Sequence, residues 1–293
     1  MPLIVCWKIV GTREKGTMTE YPAAREQPSA VIDTSVPHSA RVWNYWLDGK
    51  DNYQVDREAG DDFAKAYPGI FALAQQSRQF LIRAVHHLVT EAGIRQFLDI
   101  GTGLPTMDNT HEVAERAAPD CRIVYVDNDP LVLAHARALM VNTTSTGATA
   151  YIHADLHDPD QVVADARNIL NFTQPIAVML MGVLGHVSDF DESLSIVSRV
   201  MAAMPSGSYL VMWDDTTATS PAVATANEGY AETGAVPYNP RSVEQIGRYF
   251  EGLELVDPGV VPVSLWRPNA ADVGNSQRVS GHGAVARKPM ALS

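Results

Sequence analysis

The sequence predicts an α/β fold: a doubly wound parallel sheet with helices on both faces, preceded by a helical cover. Three observations predict it. Short buried strands alternate with helical stretches from Gln96 onward. The first strand, Phe97-Leu98-Asp99-Ile100, runs straight into Gly101-Thr102-Gly103. The second, Ile123-Val124-Tyr125-Val126, stops on the carboxylate of Asp127. In an open parallel sheet both strands end at one edge, where ligands bind. A backbone that a ligand can approach closely, beside a carboxylate that can accept from ribose hydroxyls, points to a nucleoside-like cofactor.

The elements follow in order. Residues 1–37 are expected to be a flexible N-terminal extension. Within it, residues 1–17 read as sequence upstream of a start at Met18, or as an extra edge strand. The apolar run Leu3–Val10 is short, broken by Lys8 and followed by its charges, so it makes a poor signal peptide and is too short to span a bilayer. Residues 38–95 form the expected helical cover. Val42, Trp43, Trp46 and Leu47 recur at helical spacing, with Gly49 as an end cap. Further helices are expected over Asp56–Tyr67, before Pro68, and over Ile70–Glu91, closed by Gly93.

Residues 96–293 form the sheet domain, one compact unit with the cover. Its strands are expected at Gln96–Ile100, Arg122–Val126, Ala148–His153, Ile176–Met181 and Ser208–Trp213. Later ones are expected at Leu253–Val256, extended through Val260–Trp266, and at Gly283–Arg287. Asn109 with Glu112, and Ser242 with Gln245, read as capping boxes. Asp129-Pro130 and Asp158-Pro159 read as helix starts, the carboxylate capping and proline in the first turn. Helices are also expected over Phe190–Ala203 and Ala222–Glu232.

Composition narrows the function. The chain has 293 residues, 46% of them hydrophobic, enough for a substantial core. With 34 acidic against 22 basic residues the net charge is -12, which argues against a nucleic-acid or membrane-surface partner and leaves a small molecule as substrate. Cys6 and Cys121 are the only cysteines, so no disulfide framework or metal spacing is expected, and a reducing cytoplasm is the default. Composition is silent on oligomeric state.

The glycine turn does not suit a dinucleotide. A pyrophosphate-binding fingerprint needs a third glycine where this chain has Thr106 after Pro105, and no lysine follows as in a P-loop. Taken alone, the two glycines are also compatible with a plain strand-to-helix turn. The set of Gly101-Thr102-Gly103, Asp127 and the pair Asp155-Leu156 at one sheet edge is more specific. It resembles the class I S-adenosylmethionine-dependent methyltransferases. The resemblance implies S-adenosyl-L-methionine as cofactor and a seven-stranded sheet with an antiparallel last strand. It implies that Asp99, Gly101, Thr102 and Gly103 lie at the methionine part, Asp127 on the ribose, Asn128 near adenine, and Asp155 with Leu156 at the adenine amino group. Asn128 stands where an apolar residue is usual.

A narrower resemblance runs from Ser39 onward. The stretches Trp46–Asn52, Phe97–Thr110, Val124–Pro130, Pro205 with Gly207–Leu210, and Trp266-Arg267-Pro268 are similar to the actinobacterial DUF574 group of S-adenosyl methyltransferases. That group often has His where this chain has Gly185.

Methyl transfer needs a nucleophile held in line behind the methyl, and a base only if the acceptor must lose a proton. His186, in the loop after the fourth strand, is the candidate base, or a loop histidine bonded to backbone. Asp189 could orient it or cap the next helix. Asp214 and Asp215, ending the fifth strand, could touch an amine or begin a solvated loop. Tyr45 and Asn52 are expected to line the pocket from a lid; otherwise that helix simply packs its tryptophans on the sheet. Arg78 could meet the cofactor carboxylate or lie on the surface. The function expected is methyl transfer to an oxygen or nitrogen of a small molecule. A catalytically inactive cofactor-binding regulator is the alternative, and a nicotinamide oxidoreductase the third reading.

Overall fold

A computed structural model describes residues 33–132, 134, 146–216, 221–270 and 277–290. The expected extension over residues 1–17, the lead-in up to residue 32 and most of the helix begun at Pro130 lie outside the described residues.

The cover comes first in the chain. Helix α1 (Ser39–Trp46) starts on His38, whose ring nitrogen accepts from the Ala40 N–H. Helix α2 (Gln54–Ala66) starts in a capping box in which the Asp56 carboxylate accepts from the Tyr53 N–H. Helix α3 (Ile70–Thr90) is the long one, its apolar face turned to the sheet. A buried ion pair, Arg41 Nε to Asp56 Oδ1 at 3.1 Å, ties α1 to α2. Arg41 also donates to the Asp33 and Val36 carbonyls, so its charge is fully hydrogen-bonded.

The sheet strands are β1 (Gln96–Ile100), β2 (Arg122–Asp127), β3 (Ala148–His153), β4 (Ala177–Met181) and β5 (Tyr209–Asp214), then β6 (Glu254–Leu255), β7 (Val261–Pro262) and β8 (His282–Arg287). Their order is β3-β2-β1-β4-β5-β8-β6, with β7 also paired to β8. The first five strands are parallel, and β8 runs antiparallel to β5. The sequence led to seven strands; there are eight, because the turn at Asp257-Pro258-Gly259 splits the expected Leu253–Trp266 stretch into two short strands along β8.

Helices α4 (Thr110–Ala117), α5 (Pro159–Ala166), α6 (Phe190–Ala203), α7 (Pro221–Glu232) and α8 (Val243–Arg248) complete the set labelled here. The capping boxes at Asn109 and Ser242 and the proline start at Asp158 form as read. The sheet's central strands are buried on both faces, as parallel strands must be. Alternate residues feed two cores. Phe97, Ile123, Met179 and Val211 meet α3 and α4 on one face, and Leu98, Val124, Val178 and Leu210 meet α5 and α6 on the other. Cys121, just before β2, is fully buried, and burial pushes its thiol up to about 11.

Candidate functional site

The site is built on the carboxyl ends of β1 to β5. A cavity of about 410 Å³ opens there and runs beneath α1. That is within the usual range for small-molecule sites, about 300–1,000 Å³.

Its floor begins at the glycine turn. Gly101 (φ +72°) and Gly103 (φ +66°) sit in the left-handed region that favours glycine. A Cβ on Gly101 would fall 2.3 Å from Val183, whereas one on Gly103 would meet nothing within 4 Å. The turn is pinned to the end of β2 by Gly101 N–H to the Val126 carbonyl at 2.8 Å. The Asp127 carboxylate accepts from the Gly103 N–H and the Asp129 N–H, both at 2.9 Å, one on each oxygen. Each oxygen keeps a further lone pair for a ligand. Burial raises its pKa, and those two backbone donors oppose the rise.

Asp99, below the turn, accepts from the Thr110 hydroxyl at 2.7 Å, and burial pushes it up to about 6. Arg78, on α3, lines the cavity near Asp99. Burial lowers its pKa, and no hydrogen bond or ion pair engages its guanidinium among the described residues. At the far side, Asn128 Nδ2 donates to Asp155 Oδ2 at 3.3 Å, and the His157 N–H donates to Asp155 Oδ1 at 3.0 Å. Asp155 is exposed and Leu156 half-buried beside it.

The cavity thus gathers Asp99, Gly101, Thr102, Gly103, Asp127, Asn128, Asp155 and Leu156 on one lining. Their donor set fits S-adenosylmethionine. An unengaged guanidinium suits a ligand carboxylate, carboxylates with spare lone pairs suit hydroxyl and amino groups, and a turn without side chains leaves room between them.

The other half of the lining is aromatic. Trp43 of α1 lies 5.7 Å from Trp213 of β5, centroid to centroid. Gly182 makes room for Trp213, since a Cβ there would sit 2.7 Å from the indole. Gly185 does the same for Tyr238, whose ring lies 2.5 Å from where its Cβ would be. The Tyr238 loop is held down by the Asn239 N–H donating to the Gly185 carbonyl at 2.7 Å. The Tyr238 hydroxyl donates to the Asp214 carboxylate.

His186 stands edge-on to Tyr238, 5.2 Å between centroids. Its Nδ1 lies 3.2 Å from the Pro237 carbonyl. A carbonyl only accepts, so Nδ1 carries the proton and Nε2 keeps a free lone pair in the neutral ring. Burial lowers the pKa of His186, which keeps the ring neutral at neutral pH.

The structure decides between several of the sequence readings here. Tyr45 and Asn52 do not line the cavity. Helix α1 turns Trp43, Asn44 and Trp46 inward, which sends Tyr45 toward α2, where its hydroxyl donates to Asp61 at 2.7 Å. Asn52 folds back onto Asn44 and the Gly49 carbonyl. Asp189 caps α6 and does not orient His186. Asp214 and Asp215 are no solvated loop start, being 0% and 6% exposed. The sequence carried no local signal for Tyr238, which reaches the site from a loop after α7. Among the described residues, no group of His, Cys, Asp and Glu is placed to hold a metal, and no helix is long and apolar enough to cross a membrane.

Known proteins share this fold. A DUF574 family protein from Streptomyces avermitilis is 43% identical, covers 88% of this chain and 99% of its own, and superposes with a TM-score of 0.83. A protein from Thermobifida fusca is 39% identical, covers 88% and 97%, and has a TM-score of 0.78. No curated protein matches. The sheet is Rossmann-like, as the sequence led one to expect, with five parallel strands and an antiparallel β8 beside β5. Residues 25–289 match the S-adenosyl methyltransferase family. The chain belongs to that family, and its cofactor is S-adenosylmethionine.

Proposed function

We propose that the protein transfers the cofactor's methyl group to an oxygen or nitrogen of a small molecule held in the aromatic half of the cavity. One observation carries this reading: a single cavity is lined by both the strand-end turn and the aromatic wall with His186, so cofactor and acceptor share one space. S-adenosylmethionine supplies a methyl activated by its sulfonium. In this reading residues 96–293 hold the reactants and residues 38–95 close over them.

The residues divide the work by chemistry. Asp127 accepts from the ribose hydroxyls, and Asp155 accepts from the adenine amino group, with Asn128 and Leu156 alongside. Arg78 takes the carboxylate of the methionine part, above the Gly101-Thr102-Gly103 turn and Asp99. His186 Nε2 accepts the proton of an acceptor hydroxyl or ammonium, a contribution of about 10²–10⁴-fold where a proton must leave. The cover and the aromatic wall exclude water and hold the acceptor in line, and such positioning is worth roughly 7–11 kcal/mol in favourable cases.

Calorimetry with S-adenosylhomocysteine and with NAD tests the cofactor assignment; binding of the first and not the second is expected. Incubation with methyl-labelled cofactor and a small-molecule extract tests the transfer. Labelled product that is lost in His186→Asn supports the reading. Cofactor binding with no label transferred to any extract would favour a regulator.

A further inference from the structure

We propose that the acceptor enters the cavity as a cation, an amine with an apolar body whose ammonium group seats against Asp215. This rests on the reading of the cavity as a methyl-transfer site and names the class of molecule it takes.

Asp215 lines the cavity and is 6% exposed. Its carboxylate accepts from the Thr216 N–H at 2.9 Å and interacts with the Ser280 hydroxyl, which is itself 2.7 Å from the Tyr67 hydroxyl. All of these partners are neutral. No lysine, arginine or histidine among the described residues supplies it with a counter-charge. Arg78 is the only arginine or lysine on the described lining, and it stands near Asp99 at the other end. A buried carboxylate without a cationic partner is costly, and a ligand ammonium group would complete the pair.

The surroundings suit the same ligand. Trp43, Trp213 and Tyr238 line the same cavity, the Tyr238 hydroxyl lying 3.2 Å from the Asp215 nitrogen, and aromatic rings attract cations. Ile70 and Leu73 give an apolar body somewhere to lie. Asp214 backs Asp215 directly, the Asp215 N–H donating to its Oδ1 at 3.1 Å, while its Oδ2 is buried with no hydrogen-bond partner. An anionic acceptor would therefore meet two carboxyl groups, one behind the other. A neutral alcohol would leave the Asp215 charge uncompensated.

The test uses the full chain saturated with S-adenosylhomocysteine. Phenethylamine and tryptamine are titrated against it by calorimetry, beside the matched acids, 3-phenylpropionate and indole-3-propionate, and the matched alcohols. At least one amine is expected to bind about tenfold or more tightly than its alcohol, with no detectable binding of its acid. Asp215→Asn should weaken that amine about tenfold and leave S-adenosylhomocysteine affinity within about twofold. Acids or alcohols binding as well as the amines would overturn the inference on the unaltered protein, whatever the variant's folding. So would an unchanged amine affinity in Asp215→Asn, or no amine binding at all. Failure at the first step, with S-adenosylhomocysteine itself not bound, would overturn the methyl-transfer reading and this inference with it.

Discussion

At His186 the proton on Nδ1 is committed to the Pro237 carbonyl, so the ring works only through Nε2 and only when neutral. Burial lowers its pKa, so turnover should rise with pH through a value below the ordinary 6.5 and then level off. A pH-rate profile measured at saturating cofactor checks this. His186→Asn should abolish that limb and lower kcat about 10²–10⁴-fold with cofactor affinity retained. Asp127 poses a second question at this scale. Its removal frees the Gly103 and Asp129 N–H groups as well as losing the ribose partner. Asp127→Ala should weaken S-adenosylhomocysteine at least about tenfold by calorimetry. Asp127 and Asp155 could be read from sequence because a strand end fixes where its next side chain emerges. Tyr238 could not, since a loop more than fifty residues after Gly185 delivers it and nothing local marks its destination.

Elements that begin with a capping box or an aspartate-proline pair were legible, because such starts are decided by residues three or four apart. The facing of α1 was not. The apolar spacing of Val42, Trp43 and Trp46 located the helix, but which of its mixed residues would meet the cavity depended on where α2 docks. That docking hangs on Asp56, whose Oδ1 accepts from the His38 N–H at 2.9 Å and from Arg41 Nε at 3.1 Å while its Oδ2 accepts from Tyr53 N–H at 2.8 Å. Asp56→Ala would strand a buried guanidinium and uncap α2 together. A loss of about 3–5 kcal/mol in urea unfolding is expected. Cofactor affinity should fall with it, since α1 brings Trp43 and Asn44 to the cavity.

Across the whole molecule, burial sets an unusual pH dependence. Asp99 and Asp215 are pushed up to about 6 and Asp214 up to about 7, against 3.8 for an ordinary aspartate. The folded chain holds these protons to higher pH than the unfolded chain does. Their stabilisation is complete below pH 3.8 and is lost as pH climbs toward 7. His111 and His186, both lowered by burial, act in the opposite direction near their own range. Asp214→Asn should therefore flatten the decline in thermal stability between about pH 4 and 7 relative to the unaltered protein, read by scanning calorimetry at several pH values. The positions of the parallel strands were legible from their short apolar runs between helices, whereas their order in the sheet emerged only from the fold. The burial of the acids was not legible either, because it depends on the Tyr238 loop, β8 and the cover closing over one end of β5.

The sulfur of Cys121 is walled in and its proton is held far above neutral pH, so electrophiles should find almost no thiolate while the chain stays shut. Iodoacetamide followed by mass spectrometry of the Cys121 peptide then becomes a clock for breathing of the sheet beside β2. Saturating ligand should slow that clock if it tightens this part of the sheet.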